Sequence, residues 1–351
     1  MKILYVTNKY DYGKPELGFS YEHYNLYDTL VKMDGGKHKV IYFPTDEIMM
    51  KEGERGLNEG LLERVEKEKP DLVFFVYGGT MIRKETIKEI GKKTITLNWF
   101  YDDHWRFDNY SKYWGPLYHW VATTDPLAPE KYRKIGYKNA VFLPQGCNPN
   151  IYKPLNLPKI YDVSFVGRPH GVRKKMIEKL KRAGIEVKCF GEDWPSGHIS
   201  QEEMIKVFSQ TKINLNFSEA SGTFLKQLGL LFFHRKDDRS LHLNSPRQFL
   251  DHLKTFLPEM KSKQIKGRVF EIPACKGFLL TGYAPKLEEL YEIGKEIECF
   301  HNFEELVEKI KYYLVNEKER EAIATAGYER TVRDHTYEQR FKKMFKIMGL
   351  V

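Results

Sequence analysis

The 351-residue sequence predicts an α/β protein built from two parallel-sheet domains in tandem. Three observations carry that expectation. Short, continuously apolar runs alternate with amphipathic stretches of helical period, the pattern of parallel strands covered on both faces. The alternation lapses once in a proline-rich stretch and then begins again. The length suits two domains of roughly 150–180 residues, each large enough to bury its own core.

In the first half the strand-like runs are residues 3–7, 40–43, 72–77, 94–100, 120–123 and 140–143, separated by helical stretches at 21–33, 57–69, 85–91 and 129–135. Between Pro144 and Tyr161 come Pro149, Pro154, Pro158, Gly146 and the asparagines Asn148, Asn150 and Asn156, so the domain linker falls there. Strands 161–166, 186–190 and 212–217 follow, with helices 174–183 and 201–209 between them. After an interruption at 219–266 the pattern resumes with a short helix behind Gly267, a strand ending at Thr281, a helix at 286–295, a strand at 298–300 and a helical region 303–349 broken near Gly327 and His335. The expected domains are 1–150 and 151–335, with 336–351 as a closing helix.

Composition narrows the class. With 22 Tyr, 22 Phe and 5 Trp, and 30% charged residues, the chain has the material for aromatic cores and a soluble surface. No apolar run reaches the ~20 residues of a membrane helix, and the apolar opening at residues 1–8 is too short for a signal sequence, so a cytoplasmic protein is expected. Cys147, Cys189, Cys275 and Cys299 are scattered without a C-x-x-C pair, which argues against a zinc site or a disulfide framework. The net charge of +9 is regional: residues 222–268 carry ten Lys/Arg against four Asp/Glu. Such charge is ordinarily a solvated face, but beside a phosphate site it also suits an anionic acceptor or peripheral contact with a membrane surface. Within the interruption, Phe224, Leu230, Phe232 and Phe233 mix with His234, Arg235, Lys236 and Arg239, a combination that serves either core packing or docking.

The chemistry-bearing residues cluster after strands. The run from Gly267 to Thr281 joins a short helix to a buried strand: Gly267 permits close backbone approach, Arg268 offers a cation, and Glu271 can accept two ribose hydroxyls. Pro273 fits if that helix begins close by. The second domain opens on a strand that passes through Gly167 and Arg168 into a helix near Arg173, where loop amides and guanidinium groups can neutralise a diphosphate and its leaving charge. Gly191, Glu192 and Trp194 follow another strand end and can frame a nucleotide base. In the first domain the loop 8–20 holds Gly13 and Gly18 and ends at Ser20, a helix N-cap. It lacks G-x-G-x-x-G, and no G-x-x-x-x-G-K-[ST] occurs, which removes dehydrogenase-type and P-loop sites. Asp102, Asp103 and His104 follow the 94–100 strand among Trp99, Tyr101 and Trp105, where they can orient or deprotonate an acceptor hydroxyl. One short acidic cluster without a distant matching set is weak ground for a metal, and none is expected.

These motifs together resemble the spore-maturation-protein-like glycosyltransferases of CgeB type. The resemblance is strongest in Gly267–Gly277, Leu279–Thr281, Glu304–Leu306, Glu319, Arg320, Ile323, Ala324, Gly327, His335–Tyr337 and Arg340. Asp162, Phe165–Gly167 and Arg173 resemble that family's second-domain entry, and Tyr101–Asp103 with Thr123–Asp125 match its first domain more loosely. The resemblance implies a GT-B fold of two facing Rossmann-like domains with a C-terminal helix crossing back to the first. It implies transfer of a sugar from a nucleoside diphosphate sugar to an acceptor hydroxyl without a metal, with Arg173 at the diphosphate and Glu271 at the ribose. Where retaining relatives carry E-x7-E, the second glutamate matches Glu271 but the first falls at Lys263, which leaves stereochemistry open with retention favoured slightly by fold. A glycan, a lipid-linked or another anionic acceptor fits, and nucleic acid is disfavoured by the lack of a recognised binding motif. A nucleotide-sugar epimerase or hydrolase, or a noncatalytic nucleotide-sugar or polyanion-binding protein, are the competing readings.

Overall fold

The computed structural model describes residues 1–219, 228–229, 231–235, 241–246, 249–250, 253 and 262–350. Phe224, Leu230, Lys236 and Arg239, named above as docking candidates, lie outside the described residues. The chain divides into two compact units. One holds residues 1–144, the short hairpin strands and the last helix, and the other holds the described residues of 145–232 and 253–336.

The first unit is a six-stranded sheet in the order β2-β1-β3-β4-β5-β6, from β1 (Lys2–Thr7), β2 (Lys39–Pro44), β3 (Leu72–Phe75), β4 (Ile95–Phe100), β5 (Trp120–Thr123) and β6 (Ala140–Phe142). Every pairing is parallel. Because β1 lies between β2 and β3, the chain changes winding direction there, and the carboxyl ends of those strands open a crevice. The connecting helices are α1 (Asp28–Gly36), α2 (Thr45–Glu68), α3 (Lys84–Gly91), α4 (Asp103–Arg106) and α5 (Ala128–Lys134). Ser20 caps the first helical segment, its Oγ accepting the His23 N–H at 3.1 Å, and the segment passes through a π-turn at His23–Tyr27 before α1. The helix expected at 57–69 lies in the second part of α2, which a shorter helical stretch from Thr45 precedes; Gly53, at φ 69° and ψ −172°, breaks the helical backbone between them.

The second unit repeats the plan with the sheet order β13-β12-β9-β7-β8, again parallel throughout. Its strands are β7 (Tyr161–Val166), β8 (Lys188–Phe190), β9 (Thr211–Asn216), β12 (Leu279–Gly282) and β13 (Glu298–Phe300). The hairpin strands β10 (Phe233–Arg235) and β11 (Leu241–Leu243) pair antiparallel with each other. Here the switch of direction lies at β7, between β8 and β9. The helices are α6 (Arg173–Arg182), α7 (Gln201–Gln210), α8 (Arg268–Ala274), α9 (Phe303–Val315) and α10 (Glu317–Asp334). The proline-rich stretch after Pro144 is packed, not loose: Cys147 and Tyr152 are buried in this unit's core. The helix expected at 286–295 shrinks to a 3₁₀ turn at Leu287–Glu289. Lys286 enters it in the left-handed region, and the Leu290 carbonyl accepts from the Arg330 and His335 side chains at 3.0 and 2.7 Å.

The last helix, α11 (Tyr337–Ile347), belongs to the first unit. Tyr337, Phe341, Met344 and Phe345 are buried with Tyr5, Phe74 and Trp99 on one face of its sheet. Each such side chain contributes about 1.5–3 kcal/mol by leaving water. Arg340 Nε donates to the Pro144 carbonyl at 3.1 Å, and Tyr21 and Tyr337 share a hydroxyl hydrogen bond of 2.7 Å.

Candidate active site

At the carboxyl end of β7 the backbone passes through Gly167 at φ 155°, and at the neighbouring end of β8 through Gly191 at φ 134°. A Cβ on Gly191 would lie 2.8 Å from the Gly167 carbonyl oxygen, so the two turns approach as closely as they do because Gly191 bears no side chain. Around this crossing the guanidinium groups of Arg168, Arg173 and Arg268 gather. Arg173 opens α6, lies over the Phe165 ring at 5.5 Å and donates to the Arg168 carbonyl at 2.9 Å. Arg268 opens α8, reaches the Val166 carbonyl at 3.5 Å and pairs with Glu271. Arg168 pairs with Glu192 at 2.9 Å and Asp193 at 3.2 Å. Trp194 Nε1 donates to the Gly167 carbonyl at 2.7 Å and folds the Gly191–Trp194 turn back over the strand end.

Two of the expected donor-site carboxylates pair with arginines of the same cluster. Glu271 does not present its carboxylate outward: it is 0% exposed, Oε1 accepts from the Tyr152 hydroxyl at 2.8 Å, and Oε2 holds Arg268. The helix that carries it is packed on the core, and its carboxylate anchors Arg268 and Tyr152. Glu192 likewise faces Arg168, and its place is a charge partner at the rim.

The first unit carries a cavity of about 160 Å³ at the carboxyl ends of β3 and β4. It is lined by residues following β3 and β4, among them Tyr77, Gly78, Tyr101 and Asp102, with Glu22 and Arg106 closing its sides. Arg106 Nη2 donates to the Gly78 carbonyl at 2.9 Å and its guanidinium lies 4.1 Å from the centre of the Tyr110 ring. Burial pushes the Glu22 carboxyl up to about 7; its own backbone amide and Ser20 oppose the shift, while Asp11 and Asp102 add to it. Glu22 and Arg106 were not singled out from sequence. Their signal was position: Glu22 follows the Ser20 cap in the first turn after β1, at the ligand-binding edge of any such sheet.

The Asp102–His104 cluster is split by the fold. Asp102 lines the cavity, whereas Asp103 is fully buried away from it and accepts from the Tyr132 hydroxyl at 3.4 Å. Burial raises its carboxyl to about 6, against hydrogen bonds from Ser111 and Thr123. Asp103 therefore braces the segment after β4 against α5. His104 sits half-buried in α4. Gly18, at φ 82°, shapes the loop after β1, its carbonyl accepting the Asp11 N–H at 3.0 Å. Among the described residues no group of three His, Cys, Asp or Glu is placed to hold a metal ion, and no described helix is long and apolar enough to cross a membrane.

A family model described as glycosyl transferase-like matches residues 169–229 and 234–346. The chain belongs to this family of glycosyltransferases. The enzyme is similar to spore protein CgeB of Bacillus subtilis (strain 168), at 21% identity over 280 residues that cover 79% of this chain and 83% of that protein. Sucrose-phosphate synthase from Thermosynechococcus elongatus superposes with a TM-score of 0.64 at 11% identity, covering 99% of this chain and 98% of that one. Anabaena HepE in complex with UDP and glucose gives 0.60 at 10% identity with both chains fully covered. A glycosyltransferase from Rickettsia africae ESF-5 gives 0.60 at 13% identity, covering 99% of this chain and 97% of that one. The glycosyltransferase thus has the GT-B fold, two parallel-sheet Rossmann-like domains.

Proposed function

We propose that this glycosyltransferase binds a nucleoside diphosphate sugar at the carboxyl end of β7 and passes the sugar to an acceptor hydroxyl held in the cavity of the first unit. The observation that carries the reading is the convergence of Arg168, Arg173 and Arg268 on the Gly167–Gly191 crossing. Glycine lets phosphate oxygens approach backbone, and guanidinium groups supply the fork that a diphosphate needs. Glu192 and Asp193 sit 38% and 57% exposed at their side chains, so they swing aside from Arg168 at little cost when a diphosphate takes their place. Glu271 holds Arg268 in position. The arginines meet the charge that develops on the leaving diphosphate, the task a metal performs in other transferases, and the transfer is metal-independent. The reaction retains configuration, the leaving phosphate taking the acceptor proton while Asp102 and His104 position the hydroxyl. The uridine diphosphate in the HepE structures makes UDP-sugars the first donors to try.

The test is calorimetric titration of UDP, GDP and ADP into the wild type, Arg173→Ala and Arg268→Ala, with and without EDTA. Binding of one nucleotide series, weakened about tenfold or more by either variant and indifferent to EDTA, is the expected result. No nucleotide binding, or binding untouched by both variants, overturns this donor site. Donor consumed at full rate with no acceptor present would favour hydrolysis or epimerisation over transfer.

A further inference from the structure

The cavity of the first unit has a composition that the donor site lacks. At about 160 Å³ it has the scale of a single six-membered ring, since roughly 150 Å³ suffices for benzene in an engineered protein cavity. Tyr77, Tyr101 and Tyr110 supply flat apolar faces, and Glu22 and Asp102 supply carboxylates. The only guanidinium on its wall among the described residues, Arg106, is already turned onto the Gly78 carbonyl and the Tyr110 ring. A ring rich in hydroxyls finds acceptors and stacking surfaces here. A ring carrying a carboxylate or phosphate meets two like charges in a half-buried space.

Resting on the reading of this cavity as the acceptor site, we propose that Glu22 determines acceptor specificity, taking a hydroxyl hydrogen bond from an uncharged sugar ring and turning anionic acceptors away. This narrows the acceptor class from the anionic alternatives that the overall basic charge suggests. The groups that face Glu22 are Asp11 from the loop after β1, Tyr5 of β1, Tyr42 of β2, Tyr101 and Asp102 after β4, and the hydroxyl of Ser20. Its carboxyl, raised by burial to about 7, ionises within the working range, so rejection of anions strengthens as pH rises through 7.

The experiment is saturation-transfer NMR on the full chain with methyl glucoside, methyl galactoside and methyl mannoside beside the matching uronates, at pH 6 and pH 8. A separate UDP titration reports the donor site. The expected result is a neutral glycoside that saturates at both pH values, and a uronate that binds about tenfold more weakly than its neutral partner at pH 8 but within about threefold at pH 6. Glu22→Gln should hold the pair within about threefold at both pH values, with UDP affinity and melting temperature retained. Glu22→Asp, which keeps the charge, should keep the discrimination. Equal binding of uronate and glycoside by the wild type at pH 8, or discrimination that persists unchanged in Glu22→Gln, overturns the proposal. UDP binding with no glycoside binding also overturns it while sparing the donor site, and loss of UDP binding alone strikes the donor reading instead.

Discussion

The two sheets place their candidate sites by the same rule and fill them with opposite chemistry. Each has a switch of winding direction, at β1 in the first unit and β7 in the second, and each gathers its polar side chains at the carboxyl ends beside it. At β7 these are guanidinium groups packed around two glycines, a surface for phosphate. In the first unit, after β3 and β4, they are carboxylates and tyrosines around a ring-sized cavity, the surface proposed above for hydroxyls. The comparison teaches that topology sets where polar side chains gather, while the few residues after each strand decide the chemistry they offer.

Glu271→Ala should break the comparison hardest. It removes a fully buried carboxylate and strands both Tyr152 and Arg268, at a cost of about 2–3 kcal/mol after discounting for the exposed part of Arg268. Chemical denaturation should show that loss, and a stability equal to wild type would mean that Arg268 finds another anchor. Arg173→Ala sharpens the contrast instead. Nucleoside diphosphate affinity should fall about tenfold or more while glycoside binding at the first unit stays within about twofold, and a parallel loss at both would mean the sites are not chemically separate.

The sheets were legible because buried parallel strands are continuous apolar runs that few other elements imitate, as in Leu72–Phe75 and Ile95–Phe100. The place of Arg168 was legible for a related reason, since strand, glycine, then arginine places a cation at a sheet edge whatever the tertiary detail. The 3₁₀ turn after Lys286 was not, because the partners of the Leu290 carbonyl, Arg330 and His335, are forty residues and more away in sequence. Nor was the splitting of Asp102 from Asp103. Adjacent side chains on a strand-to-helix turn diverge, and only the positions of Tyr132 and Ser111 decide which one turns inward.

Asp103 and its outward neighbour offer a finer test. Its folded carboxyl is raised to about 6 above an ordinary value near 3.8, so its contribution to stability is full below about pH 4 and is lost as pH rises through 6. Asp103→Asn should flatten the melting temperature between pH 4 and pH 6.5, and it should leave UDP binding untouched. An unchanged slope would show that another group sets it. The smallest effect is expected at Lys342→Ala, which removes a half-exposed ion pair to Asp34 of 3.1 Å and should cost under about 0.5 kcal/mol with neither ligand affected.

The placement of α11 also bears on how the protein is made. The sheet of the first unit is encoded before residue 144, yet one face of it is covered by Tyr337, Phe341, Met344 and Phe345. A ribosome therefore completes the second unit while the first still exposes Tyr5, Phe74 and Trp99, and that surface is sealed when the segment carrying α11 emerges. The first unit, synthesised before the second, finishes folding after it, because α11 is encoded beyond the second unit.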